Sequence, residues 1–93
     1  MNTTIHNLLK TWHVSYNPYT DLFQMYDGHV FDLPKDSLTE KYMNNVRFLY
    51  SKNSSQPLLI EIKNAYSQLG DIEELEKNEI IDKVEPILVQ ANN

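Results

Sequence analysis

Leu58-Leu59-Ile60-Glu61-Ile62-Lys63-Asn64-Ala65-Tyr66 is an apolar, alternating run that ends in a polar and a small residue just before a helical segment. Alternation at a period of two puts Leu58, Ile60 and Ile62 on one face of a strand and Leu59 and Glu61 on the other. A strand this short is stable only as part of a sheet, and this one closes it. The remaining strands are read upstream at residues 12–16, 21–26, 29–33 and 45–50, each short, rich in aromatic or branched side chains and bounded by turn residues. In the last of these, Val46, Phe48 and Tyr50 alternate with Arg47 and Leu49. It becomes the antiparallel neighbour of the closing strand across the polar loop Ser51-Lys52-Asn53-Ser54-Ser55-Gln56-Pro57. Glu61 then faces away from the core and is expected to pair with Arg47 across the sheet.

Asp27-Gly28 stands between Asp21-Leu22-Phe23-Gln24-Met25-Tyr26 and His29-Val30-Phe31-Asp32-Leu33. A two-residue turn of type I′ needs positive φ at both positions, so the pair predicts a hairpin with Gly28 at positive φ. Its register sets Tyr26 opposite His29, Gln24 opposite Phe31 and Leu22 opposite Leu33, with Phe23, Met25 and Val30 on the other face. Both faces are then partly apolar, more than two short helices cover, and a twofold homodimer is expected. Pro34 ends that strand, and residues 36–40 read as a helical turn or a loop.

At the N-terminus Ile5, Leu8, Leu9 and Trp12 recur at helical spacing, with Thr3 or Thr4 as the cap. Near the other end, Asp71 followed three residues later by Glu74 reads as a capping-box-like helix start, and Asn64 as the cap of the turn before it. Pro86 is expected to kink or split the C-terminal helix.

One core is expected of 93 residues. The absence of cysteine excludes a disulfide scaffold and thiolate metal sites. There is no signal-peptide pattern and no 18-residue apolar window, so a soluble cytoplasmic protein without membrane association is expected. The net charge is −5. Residues 1–70 hold six acids and six bases, whereas 71–93 hold seven acids against Lys77 and Lys83, so the imbalance sits wholly in the C-terminal segment. With no clustered basic face, direct nucleic-acid binding is not expected.

Tyr16-Asn17-Pro18-Tyr19-Thr20-Asp21-Leu22-Phe23, followed by Val46-Arg47-Phe48-Leu49-Tyr50 and Leu59-Ile60-Glu61-Ile62-Lys63-Asn64-Ala65, resembles the YuzE-like family of small bacterial and phage domains of unknown function. Asn17 stands where that family has aspartate, Leu59 where it has glycine, and Tyr66 where it has serine. The resemblance covers residues 13–69. It implies a compact sheet-plus-helix domain with no established catalytic residues, and a role as the small partner of a toxin-like protein.

Candidates for chemistry are few. His29 and Asp32, at a strand spacing of three, fall on opposite faces and leave His13 without a metal-binding set. Ser15 beside His13 lacks an oxyanion turn and a third orienting group. The aromatic residues lack the interleaved arginine and lysine of a base-stacking surface. The chain is therefore read as a non-enzyme with no cofactor or metal. Its fold is read as α+β: an antiparallel four- or five-stranded meander (12–63) with a short N-terminal helix (1–11) and an acidic C-terminal helical segment (64–93). Its function is read as a protein-binding module, the neutralising, antitoxin-like partner of another small protein. The alternative is an acidic, phage-encoded inhibitor that imitates nucleic acid. Glu73, Glu74, Glu76, Glu79 and Asp82 on the acidic segment, and Tyr26 and Phe31 on the sheet, are the candidate partner-binding residues.

Overall fold

A computed structural model describes residues 3–53 and 57–91; the side chains of Thr3 and Thr4, on which the expected cap rests, and residues 54–56 of the polar loop lie outside what it describes. Helix α1 (Thr3–Lys10) precedes five strands: β1 (His13–Asn17), β2 (Leu22–Tyr26), β3 (Leu38–Met43), β4 (Val46–Ser51) and β5 (Pro57–Lys63). Helices α2 (Ala65–Leu69) and α3 (Lys77–Ala91) follow. Every pairing is antiparallel, in the order β1-β2-β5-β4-β3. The fold is α+β with an N-terminal and a C-terminal helix, as the sequence reads, but the five strands do not form the expected meander, because β5, the last in the chain, inserts between β2 and β4.

β5 is central because it can bury both neighbours on one face. Ile60 stands between Met25 and Phe48, and Ile62 between Phe23 and Val46. All five of these apart from Val46 are completely buried, each contributing about 1.5–3 kcal/mol. The helices cover this face. Leu9 of α1, Trp12, Ala65 and Leu69 of α2, and Ile80, Ile81, Val84 and Leu88 of α3 complete the core. Two polar contacts fix α1 against α3: the Lys77 ammonium donates to the Lys10 carbonyl at 2.8 Å, and His6 Nδ1 lies 3.4 Å from Glu85 Oε2.

Several local expectations are corrected. Residues 29–33 are not a strand, because the ladder position beside β2 belongs to β5: the Asp27 N–H donates to the Leu58 carbonyl at 2.9 Å, beyond Tyr26. The Asp27 carboxylate accepts the His29 N–H at 2.9 Å, its carbonyl accepts that of Val30 at 3.0 Å, and a 3-10 turn follows at Val30–Asp32. Gly28 does not adopt positive φ. Glycine is suited there for a different reason, since a Cβ would stand 2.8 Å from His13 Nε2. From this turn, residues 27–37 cross β5 and β4 on the face away from the helices and reach the far edge, where β3 forms. Part of the segment expected as turn or loop is thus strand, joined to β4 by a tight turn in which Asn44 has φ 56°.

The helix ends differ too. The α3 start lies at Glu76, whose N–H donates to Glu79 Oε1 at 3.1 Å, the reach-back bond of a capping box. Asp71 precedes only a 3-10 turn and makes no side-chain cap bond. Helix α3 is not split at Pro86. Val84 and Leu88 on either side are completely buried, and that packing holds the turn in spite of the lost hydrogen bond.

Candidate functional site

The face of the sheet opposite the helices carries a polar ladder and, beside it, a groove. In register across the strands stand Ser15, Gln24, Glu61, Arg47 and Tyr42. Gln24 Nε2 donates to Glu61 Oε2 at 2.7 Å, and Arg47 Nε donates to Glu61 Oε1 at 3.3 Å. Arg47 Nη1 donates to Glu40 Oε1 at 3.2 Å, and the Tyr42 hydroxyl closes the chain on Glu40 Oε2 at 2.7 Å. The expected Arg47–Glu61 pair is therefore present, with Glu40 added from the strand that the sequence did not reveal. Partial burial works against the Arg47 charge, but the bond to Glu61 and the fields of Glu61 and Glu40 outweigh it and raise the guanidinium pKa. Tyr42 is raised as well, chiefly by its bond to Glu40.

Next to the ladder, the crossing segment walls a groove of about 430 Å³. Val30, Leu33, Leu38 and Leu49 give it its apolar lining, and Lys35, Glu40 and Arg47 its charged groups. Val30 is buried on this face, not with Phe23 and Met25 as the hairpin register required. Phe31 stands at the rim, 68% exposed, with its ring edge-on to Tyr26 at 5.1 Å between centroids. His13 lies beyond Tyr26 at 5.7 Å. Two of the candidate residues, Tyr26 and Phe31, are thus brought into contact. The groove's other residues were not legible, because 36–40 carries no strand alternation.

Glu73, Glu74, Glu76, Glu79 and Asp82 are all exposed, on the helical layer at the opposite side of the sheet. The structure separates these acids from Tyr26 and Phe31 instead of joining them. Among the described residues no three of histidine, aspartate and glutamate gather into a metal-binding group, and no helix is long and apolar enough to cross a membrane.

The motif around Tyr16 proves to be a joint. The Asn17 carboxamide accepts the Tyr19 N–H at 2.9 Å and shapes the turn between β1 and β2. Asp21, at φ 54°, accepts the Tyr16 hydroxyl at 2.6 Å and the Tyr66 N–H at 3.1 and 3.2 Å, while its carbonyl accepts the Ala65 N–H. A carboxylate from β2's start therefore caps α2. Asn64, expected to cap, makes no side-chain cap bond and instead bends the chain at φ 53°. The bond to Asp21, followed by burial and the nearby acids, pushes the Tyr16 pKa up to about 12.

Compared with protein-family models, curated proteins and solved structures, the chain matches none.

Proposed function

We propose that the chain is a small protein-binding module that acts in the cytoplasm by binding, not by catalysis, and neutralises another small protein in the manner of an antitoxin. The observation that carries this reading is Phe31, a phenylalanine left 68% exposed at the rim of an apolar groove. An aromatic side chain held beside a concave apolar surface is the usual anchor of a protein interface. Tyr26 packs edge-on against its ring, and Arg47, fixed by two carboxylates, gives the groove a held positive charge that orients what enters it. The resemblance of residues 13–69 to the YuzE-like family supports the neutralising role by association only.

A second reading rests on the helical side, where Glu73, Glu74, Glu76, Glu79 and Asp82 are all exposed. There the carboxylates stand in for phosphates toward a basic groove, and the chain acts as an inhibitor of a nucleic-acid-binding protein. One experiment separates the two. The immobilised chain is exposed to extract of its native cell as wild type, as Phe31→Ala, and with Glu73→Lys, Glu74→Lys and Glu76→Lys combined. The docking reading expects a captured protein that is lost with Phe31→Ala and kept with the charge reversal. Capture that survives Phe31→Ala and disappears with the charge reversal overturns it in favour of the acidic inhibitor. No specific capture defeats both.

A further inference from the structure

The two edges of the sheet offer different things. In an antiparallel ladder, residues alternate between bonding one neighbour and the other. Because the Asp27 N–H donates to Leu58, Phe23 and Met25 bond toward β5, and Leu22, Gln24 and Tyr26 toward β1. Opposite the latter three stand Asn17, Ser15 and His13. The N–H and C=O groups of Val14 and Tyr16 therefore point outward, and no described residue bonds to them.

β1 has none of the devices that protect an edge, such as a lysine, a proline within the strand or a bulge. Every residue in it but Tyr16 is exposed, including Val14 on the helix-covered face. β3 is guarded. By the same alternation its outward groups belong to Leu38, Glu40 and Tyr42. The two registers that would pair most of that strand with itself set Glu40 against Glu40 or Lys41 against Lys41, and both oppose like charges.

The geometry points to β1 as a self-pairing edge: β1 of a second copy aligns antiparallel with it about a twofold axis at Ser15. The five strands of each copy then form one continuous sheet. In this register Val14 of each copy exchanges both backbone bonds with Tyr16 of the other, so every outward group of β1 is used. Ser15 faces Ser15, His13 faces Asn17, and no like charges meet. The neighbouring registers are poorer. One sets Tyr16 opposite Trp12, which has left the strand and whose N–H is bonded to the Leu9 carbonyl. The other sets Val14 opposite Pro18, which has no N–H. Val14 and Tyr16 share the helix-covered face, so each Tyr16 ring covers the Val14 that the monomer leaves exposed, a favourable aromatic and β-branched pair.

The surface is small and the association accordingly weak, so sedimentation equilibrium is run up to about 1 mM. A monomer–dimer equilibrium is expected for the wild type. Ser15→Lys changes an exposed residue and sets two lysines face to face at the axis; it should raise the dissociation constant about fivefold or more. The chain has no cysteine of its own, so crosslinking reads the register directly. Ser15→Cys is expected to form a disulfide-linked dimer on mild oxidation, because facing residues of this kind approach to about 4.5 Å between Cα atoms. His13→Cys and Asn17→Cys should crosslink when mixed and not singly. A wild type that stays monomeric throughout, a dimer indifferent to Ser15→Lys, or crosslinking of His13→Cys alone in place of Ser15→Cys overturns the proposal.

Discussion

Gly28 separates two explanations of the same glycine. If it were there for left-handed backbone, alanine would be strained whatever surrounds it. In the structure φ is ordinary, and a Cβ would instead meet His13 Nε2 at 2.8 Å and Cδ2 at 3.1 Å. Both atoms are at the tip of an exposed side chain, so alanine moves a ring and not the backbone. Turning the imidazole away from Tyr26 costs about 0.5–1 kcal/mol in lost ring contact and rotamer freedom. Against this, alanine at a compatible φ narrows the unfolded ensemble and stabilises by about 0.4–1 kcal/mol. Gly28→Ala should therefore be nearly neutral in the wild type, within about 0.5 kcal/mol. In a His13→Ala background, where the ring is gone, it should stabilise by about 0.4–1 kcal/mol. Urea unfolding followed by the fluorescence of Trp12, the single tryptophan and a buried one, measures all four corners of the cycle. Equal destabilisation by Gly28→Ala in both backgrounds would refute the steric argument.

Arg47→Met leaves the Glu61 carboxylate, 14% exposed, with Gln24 as its remaining side-chain partner. A pair intermediate between exposed and buried should cost about 1–2 kcal/mol in urea unfolding, and adding Glu61→Gln should restore most of it. Tyr16, held up at about 12 foremost by Asp21, should titrate nearer the ordinary tyrosine value in Asp21→Asn, as read by tyrosinate absorbance. Since its folded pKa lies above its unfolded one, the stability it confers is fully present below about 10 and is lost as pH rises toward about 12. Pro86→Ala gives the Asp82 carbonyl a donor without disturbing the buried Val84 and Leu88; a gain of about 1–2 kcal/mol is expected in thermal unfolding followed by circular dichroism.

The central strands were legible because they alternate against a single apolar face. Arg47 and Glu61 could be paired from spacing alone for the same reason. β3 was not legible: an edge strand with four of its six residues exposed has no face to write a pattern, and its register comes from β4. Residues 29–33 misled in the opposite sense. His29-Val30-Phe31-Asp32-Leu33 has strand composition, but only Val30 is buried, and the neighbouring place beside β2 is filled by a segment thirty residues further on. Caps divide along the same line. Glu79 reaches the N–H three residues before it, a local bond displaced from the expected Asp71 start, whereas the cap of α2 comes from Asp21, which no window around Asn64 contains. The candidate site inherits this split. Tyr26 and Phe31 were found from their residue type, while Leu33, Lys35, Leu38 and Leu49 join them only through the path of the crossing chain.

That path also dictates how the molecule comes into being. The strand last in sequence is the middle one of the sheet, so until Lys63 has been made, the hairpin of β1 and β2 and the hairpin of β3 and β4 have no backbone ladder between them. Each alone is two strands with an apolar face and is marginal in water. Closing them around β5 requires contacts far apart along the chain, which makes folding a single late and comparatively slow event. A nascent chain emerging from the ribosome at about 5–20 residues per second passes about one to two seconds between Ser51 and Lys63 with both inner edges open. Selection against aggregation then acts on Leu22–Tyr26 and Val46–Ser51, strands that the finished molecule keeps in its interior.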